Sequence, residues 1–454
     1  MRNGGWVVMA ASAMLGVVAL TTALNWGSIG KIFPILDERI NEPPARPELL
    51  GAREGAAPVT TPQAWWDERA PALLAQLEAH VYGRVPPPAP VEVVSQRPLQ
   101  PKGFKAPGRI EEWTLRTKAN DLPMELHAIA VLPPGEGPFP VIISETFCSN
   151  RNAFGDDPAM YAGGAGEGDC SGGGFQTFLV KAIFGKHIIA PPFKKLLKRG
   201  YALVMLHPGE VVADRADLAL PRLAAIAPDL ASSPERPGAI GLWAWTFGRL
   251  LDAVEADGRF DPSRQVLWGH SRYGKAALLG AALDPRADAV VALQSGTGGA
   301  TLSRSYHGES VGEITRAYPH WFSPAFAAYA GQEEQLPVDQ HALLALIAPR
   351  PFLLGSARQD RWSDPKGAFR AAQGADPVYA LLGRKGLDQP KMSAFNREAD
   401  AGYFLRNGLH GVTTTDWKRA LQFLDAQFAR KERPHAPAPQ PPAAEPLQAT
   451  AAGL

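Results

Sequence analysis

The stretch Trp268-Gly269-His270-Ser271-Arg272-Tyr273-Gly274-Lys275 constrains this chain more than any other. The short run Arg264-Gln265-Val266-Leu267 precedes it, and an Ala/Leu-rich segment from 276 to 283 follows. A strand over 265–269, a tight turn with a central serine and then a helix is the geometry of a nucleophile elbow. Such a turn lifts the serine hydroxyl out of the sheet to the positive end of the helix, where an anionic tetrahedral intermediate is stabilised. The alternative is a Gly-rich strand–helix turn without chemistry. The second glycine, Gly274, also comes one residue late for the usual G-x-S-x-G string. The rest of the chain decides.

The surrounding pattern is that of an α/β chain. Residues 64–83 carry Trp65, Trp66, Leu73, Leu74, Leu77 and Val81 at helical spacing and end at Pro86-Pro87-Pro88. Residues 111–117 and 126–132 read as an antiparallel opening pair. Val141-Ile142-Ile143-Ser144 and residues 201–206 read as fully buried strands. A helix over 241–252 follows, with Phe260-Asp261-Pro262 closing its connection. Strands at 265–269, 289–293 and 351–355 then alternate with helices. Repeated units of this length imply a mostly parallel sheet with helices on both faces, a three-layer sandwich.

The flanks read differently. Arg2 precedes an uncharged run over residues 6–24, long for the apolar core of a signal peptide and near the lower limit of a membrane span. Residues 1–30 are therefore expected to be a signal peptide cleaved near Ala23 or an uncleaved anchor. Either way the protein is exported to the periplasmic or extracellular side, with the inner-membrane anchor preferred. Residues 31–62 read as a Pro-containing linker, 63–430 as the folded body, and 431–454 as a disordered Pro/Ala-rich tail. With 46 basic and 45 acidic residues the formal net charge is +1, which argues against nucleic acid as a partner. Cys148 and Cys170 lack metal-binding spacing and are either one disulfide or two separate thiols. No metal or cofactor is expected.

An insertion occupies residues 152–199. Its glycine run, 162–174, lacks the Lys-Ser/Thr of a phosphate-binding loop and reads as a mobile loop. Beyond it, Lys181, Lys186, Lys194, Lys195, Lys198 and Arg199 mark either a solvated helix face or a membrane-surface contact.

A serine nucleophile needs a base, and the base needs an orienting carboxylate. In α/β-hydrolases these follow in the order Ser, acid, His. His410, in Asn407-Gly408-Leu409-His410-Gly411-Val412 before a helix near Asp416-Trp417, occupies the expected place for the base. His435 lies in the Pro-rich tail, and His320, in Pro319-His320-Trp321-Phe322, suits a packed role. Asp360 follows the strand at 351–355 by a short loop and is the expected acid. Asp364, just before Pro365, better suits a helix N-cap.

Together, Gly269-His270-Ser271-Arg272-Tyr273-Gly274-Lys275, Ser295-Gly296-Thr297-Gly298-Gly299-Ala300, Leu302-Ser303-Arg304, Gly308-Glu309, Pro319-His320-Trp321-Phe322, Asp360-Arg361-Trp362 and His410 resemble the glucuronoyl esterases. These are carbohydrate esterase family 15, serine hydrolases of the α/β-hydrolase fold that cleave esters between lignin alcohols and glucuronic acid on xylan. The resemblance covers roughly residues 63–430. It implies Ser271 as nucleophile, His410 as base and an oxyanion site from the Arg272 N–H and guanidinium, with the loop at Phe147 and Cys148 beside it. It also implies sugar contacts from Lys275, Glu309, Trp362 and the Gln294 position. Many members carry Glu where this chain has Gln294, so the acid role passes to Asp360. The expected function is therefore hydrolysis of a uronate ester through an acyl-enzyme. The rivals are an acetyl, feruloyl or other small-ester esterase and a catalytically silent, membrane-anchored carbohydrate-binding protein; a peptidase fits least.

Overall fold

A computed structural model describes residues 45–52, 57–154, 161–162, 181, 183–305 and 307–431. The expectations for the 6–24 run, for residues 163–174, for Cys170 and for the tail beyond 431 lie outside the described residues. Among the described residues nine strands form one sheet in the order β1-β2-β3-β5-β4-β6-β7-β8-β9. They are β1 (Glu92–Leu99), β2 (Arg109–Ala119), β3 (Leu122–Leu132), β4 (Phe139–Glu145), β5 (Ala202–Leu206), β6 (Phe260–His270), β7 (Ala289–Leu293), β8 (Phe352–Ala357) and β9 (Ala401–Arg406). β1, β2, β3 and β5 pair antiparallel; from β5 to β9 every pairing is parallel. β2 and β3 form the expected opening hairpin.

The central strands are apolar on both faces because helices cover both. Val141, Ile143, Ala202, Val204 and Leu267 join one buried cluster with the helices Ala239–Ala256, Arg272–Leu283 and Pro365–Leu381. Their alternate neighbours Ile142, Leu203, Met205, Val266 and Trp268 join a second cluster against the final helix, Thr414–Lys431. This is the period-2 division of a doubly covered parallel sheet. Trp268 stacks on Trp417 at 4.7 Å and 8°, coupling the elbow strand to that helix, a ring pair worth about 0.5–1.5 kcal/mol beyond its buried area.

Three details differ from the sequence reading. β6 begins at Phe260, since Phe260 pairs with Phe139 across an irregularity and Pro262 falls in the exposed first part of the strand. β1, an edge strand exposed along most of its length, lacks the alternation that would announce it. Finally, part of the presumed linker is packed: Leu49 and Val59 belong to the core, and Arg69 donates to the carbonyls of Glu48 and Leu49 at 2.6 Å.

Candidate active site

Ser271 stands between β6 and its helix at φ 55° and ψ −123°. A side chain held at positive φ costs about 1–3 kcal/mol and persists only where neighbours enforce it. The Ser271 N–H donates to Leu293 O on β7 at 2.8 Å. Gly269 allows the helix to double back: a Cβ there would lie 2.0 Å from Tyr273 O. The serine thus lies at the carboxyl ends of the parallel strands, where open α/β sheets present their sites.

His410 lies in the loop between β9 and the last helix. Its Nδ1 is 2.8 Å from Asp360 Oδ2 and 3.2 Å from Ser363 Oγ. Burial alone would raise the Asp360 carboxyl. The His410 imidazole, by charge and hydrogen bond, and the Ser363 hydroxyl and N–H outweigh that and hold it below its ordinary value. The loop itself is pinned. Arg406, in a buried pair with Asp416 at 2.8 Å, donates to Gly411 O at 2.7 Å and Leu409 O at 3.2 Å. Gln359 accepts from the Gly408 N–H and donates its own N–H to Gly408 O. Asp364 caps the next helix, accepting from Gly367 N at 3.0 Å.

Gln294 is buried at the end of β7 with φ 49°. Its Oε1 accepts from His270 Nε2 at 2.9 Å and from the Gly411 N–H at 2.7 Å. The amide therefore holds the backbone beside His410, while its buried Nε2 has no hydrogen-bond partner among the described residues. The His270 ring lies 4.6 Å from that of His410. Burial first, then the charges of His410 and Arg406, keep His270 well below its ordinary pKa, so it stays neutral.

Arg272 is held from three sides. It pairs with Asp214, and its guanidinium lies 5.2 Å from the centre of the Phe147 ring and 5.1 Å from that of Trp321. Asp214 also accepts from Trp321 Nε1 at 2.6 Å and bonds His320 Nε2 at 3.1 Å. Burial, then the Arg272 and Arg236 charges, brings His320 down to about 4, so its role here is packing. Lys275 is buried and donates to Ser295 O and Thr297 O, both at 2.5 Å. Burial lowers it to about 8, against the opposing charge of Glu309.

Ser271, Arg272, Lys275, Gln294, Glu309, Asp360, Trp362 and His410 line one cavity of about 440 Å³. Cys148 does not. It is disulfide-bonded and buried, and Phe147 is the loop residue that reaches the elbow, packing on Tyr273 at 4.8 Å. Among the described residues no group of three or more His, Cys, Asp or Glu could hold a metal. Sequence reasoning missed Asp214, Ser363, Tyr318 and the exposed apolar rim of Ile183, Phe184 and Leu409. Ser363 adjoins Asp364 in the loop already singled out; Asp214 gave no local signal beyond following a buried strand.

A strained serine beside an imidazole–carboxylate pair and a fixed guanidinium can perform acyl transfer. A family model described as "Glucuronyl esterase, fungi" matches residues 198–383. A carbohydrate esterase of an unknown prokaryotic organism is 45% identical over 190 residues, covering 41% of this chain and 44% of the relative. A 4-O-methyl-glucuronoyl methylesterase of Schizophyllum commune is 34% identical over 164 residues, covering 34% of this chain and 42% of the relative. The chain thus spans less than half the length of these curated relatives. Among solved structures, a promiscuous CE15 esterase from a marine bacterial metagenome superposes with a TM-score of 0.70 at 28% identity, covering 87% of this chain and all of that one. A glucuronoyl esterase from Solibacter usitatus gives a TM-score of 0.69 at 30% identity, covering 85% of this chain and 98% of that one. The sheet order, the elbow and these likenesses over nearly the whole body agree: the chain belongs to the glucuronoyl esterase family, carbohydrate esterase family 15.

Proposed function

We propose that this protein is a serine esterase that hydrolyses esters of glucuronic or 4-O-methyl-glucuronic acid on a polysaccharide. The observation that carries the reading is the 2.8 Å bond between His410 Nδ1 and Asp360 Oδ2 in a cavity that Ser271 and Arg272 also line. With Nδ1 committed to Asp360, Nε2 is the nitrogen that takes the Ser271 proton as Oγ attacks the ester carbonyl. The Arg272 N–H, at the first turn of its helix, and the guanidinium stabilise the oxyanion. Collapse expels the alcohol, which takes the proton back from His410. Water then repeats the sequence on the acyl-enzyme and frees the uronate.

The substrate side follows from the polar groups. An ammonium has three N–H donors; Lys275 spends two on carbonyls, leaving one for a sugar oxygen near Glu309. Gln294 lines the same cavity with its Nε2 buried, and the half-buried Trp362 offers a ring edge or face. Ile183, Phe184 and Leu409, 52%, 41% and 44% exposed, give the mouth an apolar platform that suits an aromatic or alkyl alcohol. The test compares kcat/KM for methyl glucuronate with that for acetylated xylose, with Ser271→Ala as the blank. Preference for the uronate ester is expected; preference for the acetyl ester would overturn the substrate assignment.

Export is inferred from the uncharged run at 6–24 and Arg2, which lie outside the described residues; cleavage and inner-membrane anchoring remain the two forms of that reading. Among the described residues no helix is long and apolar enough to cross a membrane.

A further inference from the structure

A second cavity, of about 620 Å³, lies beside the first. Five lysines line it, Lys105, Lys186, Lys194, Lys195 and Lys198, together with His187, and among the described residues no Asp or Glu does. In a chain whose net charge is +1, this is a strong local separation of charge. All five lysines are exposed, and among the described residues none forms an ion pair. Two acids of the last helix, which Thr414 opens, are already committed, Asp425 to Arg199 and Asp416 to Arg406. Burial, then Lys186 and Lys195, lowers His187, as expected where cations converge.

Three phenylalanines also line the cavity. Phe154 and Phe193 stack at 5.2 Å and 14°, and Phe104 meets both edge-on at 6.1 and 5.7 Å. The rings are recessed: Phe154 is 6% exposed, and Phe104 and Phe193 are half-buried. Apolar faces inside a rim of ammonium groups match a pyranose ring, whose C–H faces pack on aromatics while its carboxylate is drawn to the lysines. The volume lies within the few-hundred to roughly 1,000 Å³ range of small-molecule sites.

One backbone ladder joins the two cavities. Val412 N donates to Phe184 O at 2.7 Å and His187 N to Val412 O at 3.0 Å. Phe184 lines the cavity of Ser271, whereas Lys186 and His187 line the second. Thr414, four residues beyond His410, opens the last helix, lines the second cavity and is 3.2 Å from His187 Nε2.

We propose that this second cavity is a binding site for the free carboxylates of an acidic polysaccharide, uronic acid residues of the polymer other than the one at Ser271. The site rests on its own lining and stands whether or not Ser271 is a nucleophile. A membrane surface fits less well, because the patch holds its aromatic rings inward instead of projecting them for insertion.

The test is affinity electrophoresis of the full chain through gels containing saponified glucuronoxylan or unsubstituted xylan, at low and high salt. Wild-type protein should be retarded by the glucuronoxylan alone, and salt should abolish the effect. Lys194→Gln/Lys195→Gln/Lys198→Gln should bind about tenfold more weakly, the combined loss of three exposed charge pairs. The matching Lys→Arg triple variant should bind as wild type, and both variants should keep the wild-type rate on a monosaccharide methyl glucuronate. A second pair from other segments of the lining, Lys105→Gln/Lys186→Gln, should repeat the loss and guards against one misfolded variant. Undiminished binding by both Gln variants would overturn the proposal. So would lysine-dependent binding to phosphatidylglycerol vesicles or single-stranded DNA without binding to glucuronoxylan.

Discussion

The ends of β7 and β8 make an instructive pair. The strands are parallel neighbours, with Leu293 opposite Gly355, and each sends a polar side chain to the loop that carries His410. From β7, Gln294 accepts from the Gly411 N–H and from His270. From beyond β8, Asp360 accepts from the His410 imidazole. Both are buried, but only one is charged. Asp360 sits among donors that outweigh its desolvation, namely His410 and both polar groups of Ser363. Gln294 has a neutral histidine and one peptide N–H, and among the described residues no cation bonds it to offset a buried charge. One strand end therefore fixes the loop's backbone and the other its ring. Where both ends can reach the loop of His410, the carboxylate belongs at the end that has compensating donors.

Variants at and around these two positions can break this comparison. Asp360→Asn should lower kcat/KM for a uronate methyl ester by about 10⁴, the scale of losing the carboxylate of a serine triad, whereas Gln294→Ala should cost less than about tenfold. Equal losses would dissolve the distinction. Arg272→Ala should cost about 10²–10³ in kcat with smaller change in KM, because it removes one oxyanion donor; a pure KM effect would make it a ground-state contact. Gln294→Glu should leave activity close to wild type but lower stability by roughly 3 kcal/mol at alkaline pH, where the new carboxylate is ionised without a partner. Thermal unfolding across pH checks it, and a flat profile would refute the charge argument. Lys275 gives a smaller, pH-dependent effect. It ordinarily titrates at 10.5 and here at about 8. KM should therefore rise as pH passes about 8 and the donor to the sugar is lost. Between those values the unfolded chain binds the extra proton, so this group adds stability as pH rises while activity falls. Lys275→Met should abolish the alkaline rise in KM.

The strand–helix alternation, the elbow and the order Ser271, Asp360, His410 were all legible in the sequence, because apolar periodicity and chain order report them directly. Asp364 was separable from Asp360 through the proline after it. Asp214 was not legible: its partners Arg272, His320 and Trp321 are brought to it only by the fold. Gln294 stood out only as a departure from the family's Glu; that its side chain bonds across to residues 270 and 411 is shown by the fold alone. β1 escaped because an edge strand facing water carries no buried stripe. The lysines at 186–198 were visible as a charge run, but a run does not reveal that Lys105 and three phenylalanines close around them.

The most direct test of the triad is the rate at which a fluorophosphonate probe labels the protein, with the modified residue located by mass spectrometry. A single adduct on Ser271 is expected, formed rapidly in wild type and in Gln294→Ala and slowed by orders of magnitude in Asp360→Asn. An adduct elsewhere, no adduct in wild type, or equal rates in wild type and Asp360→Asn would contradict the triad.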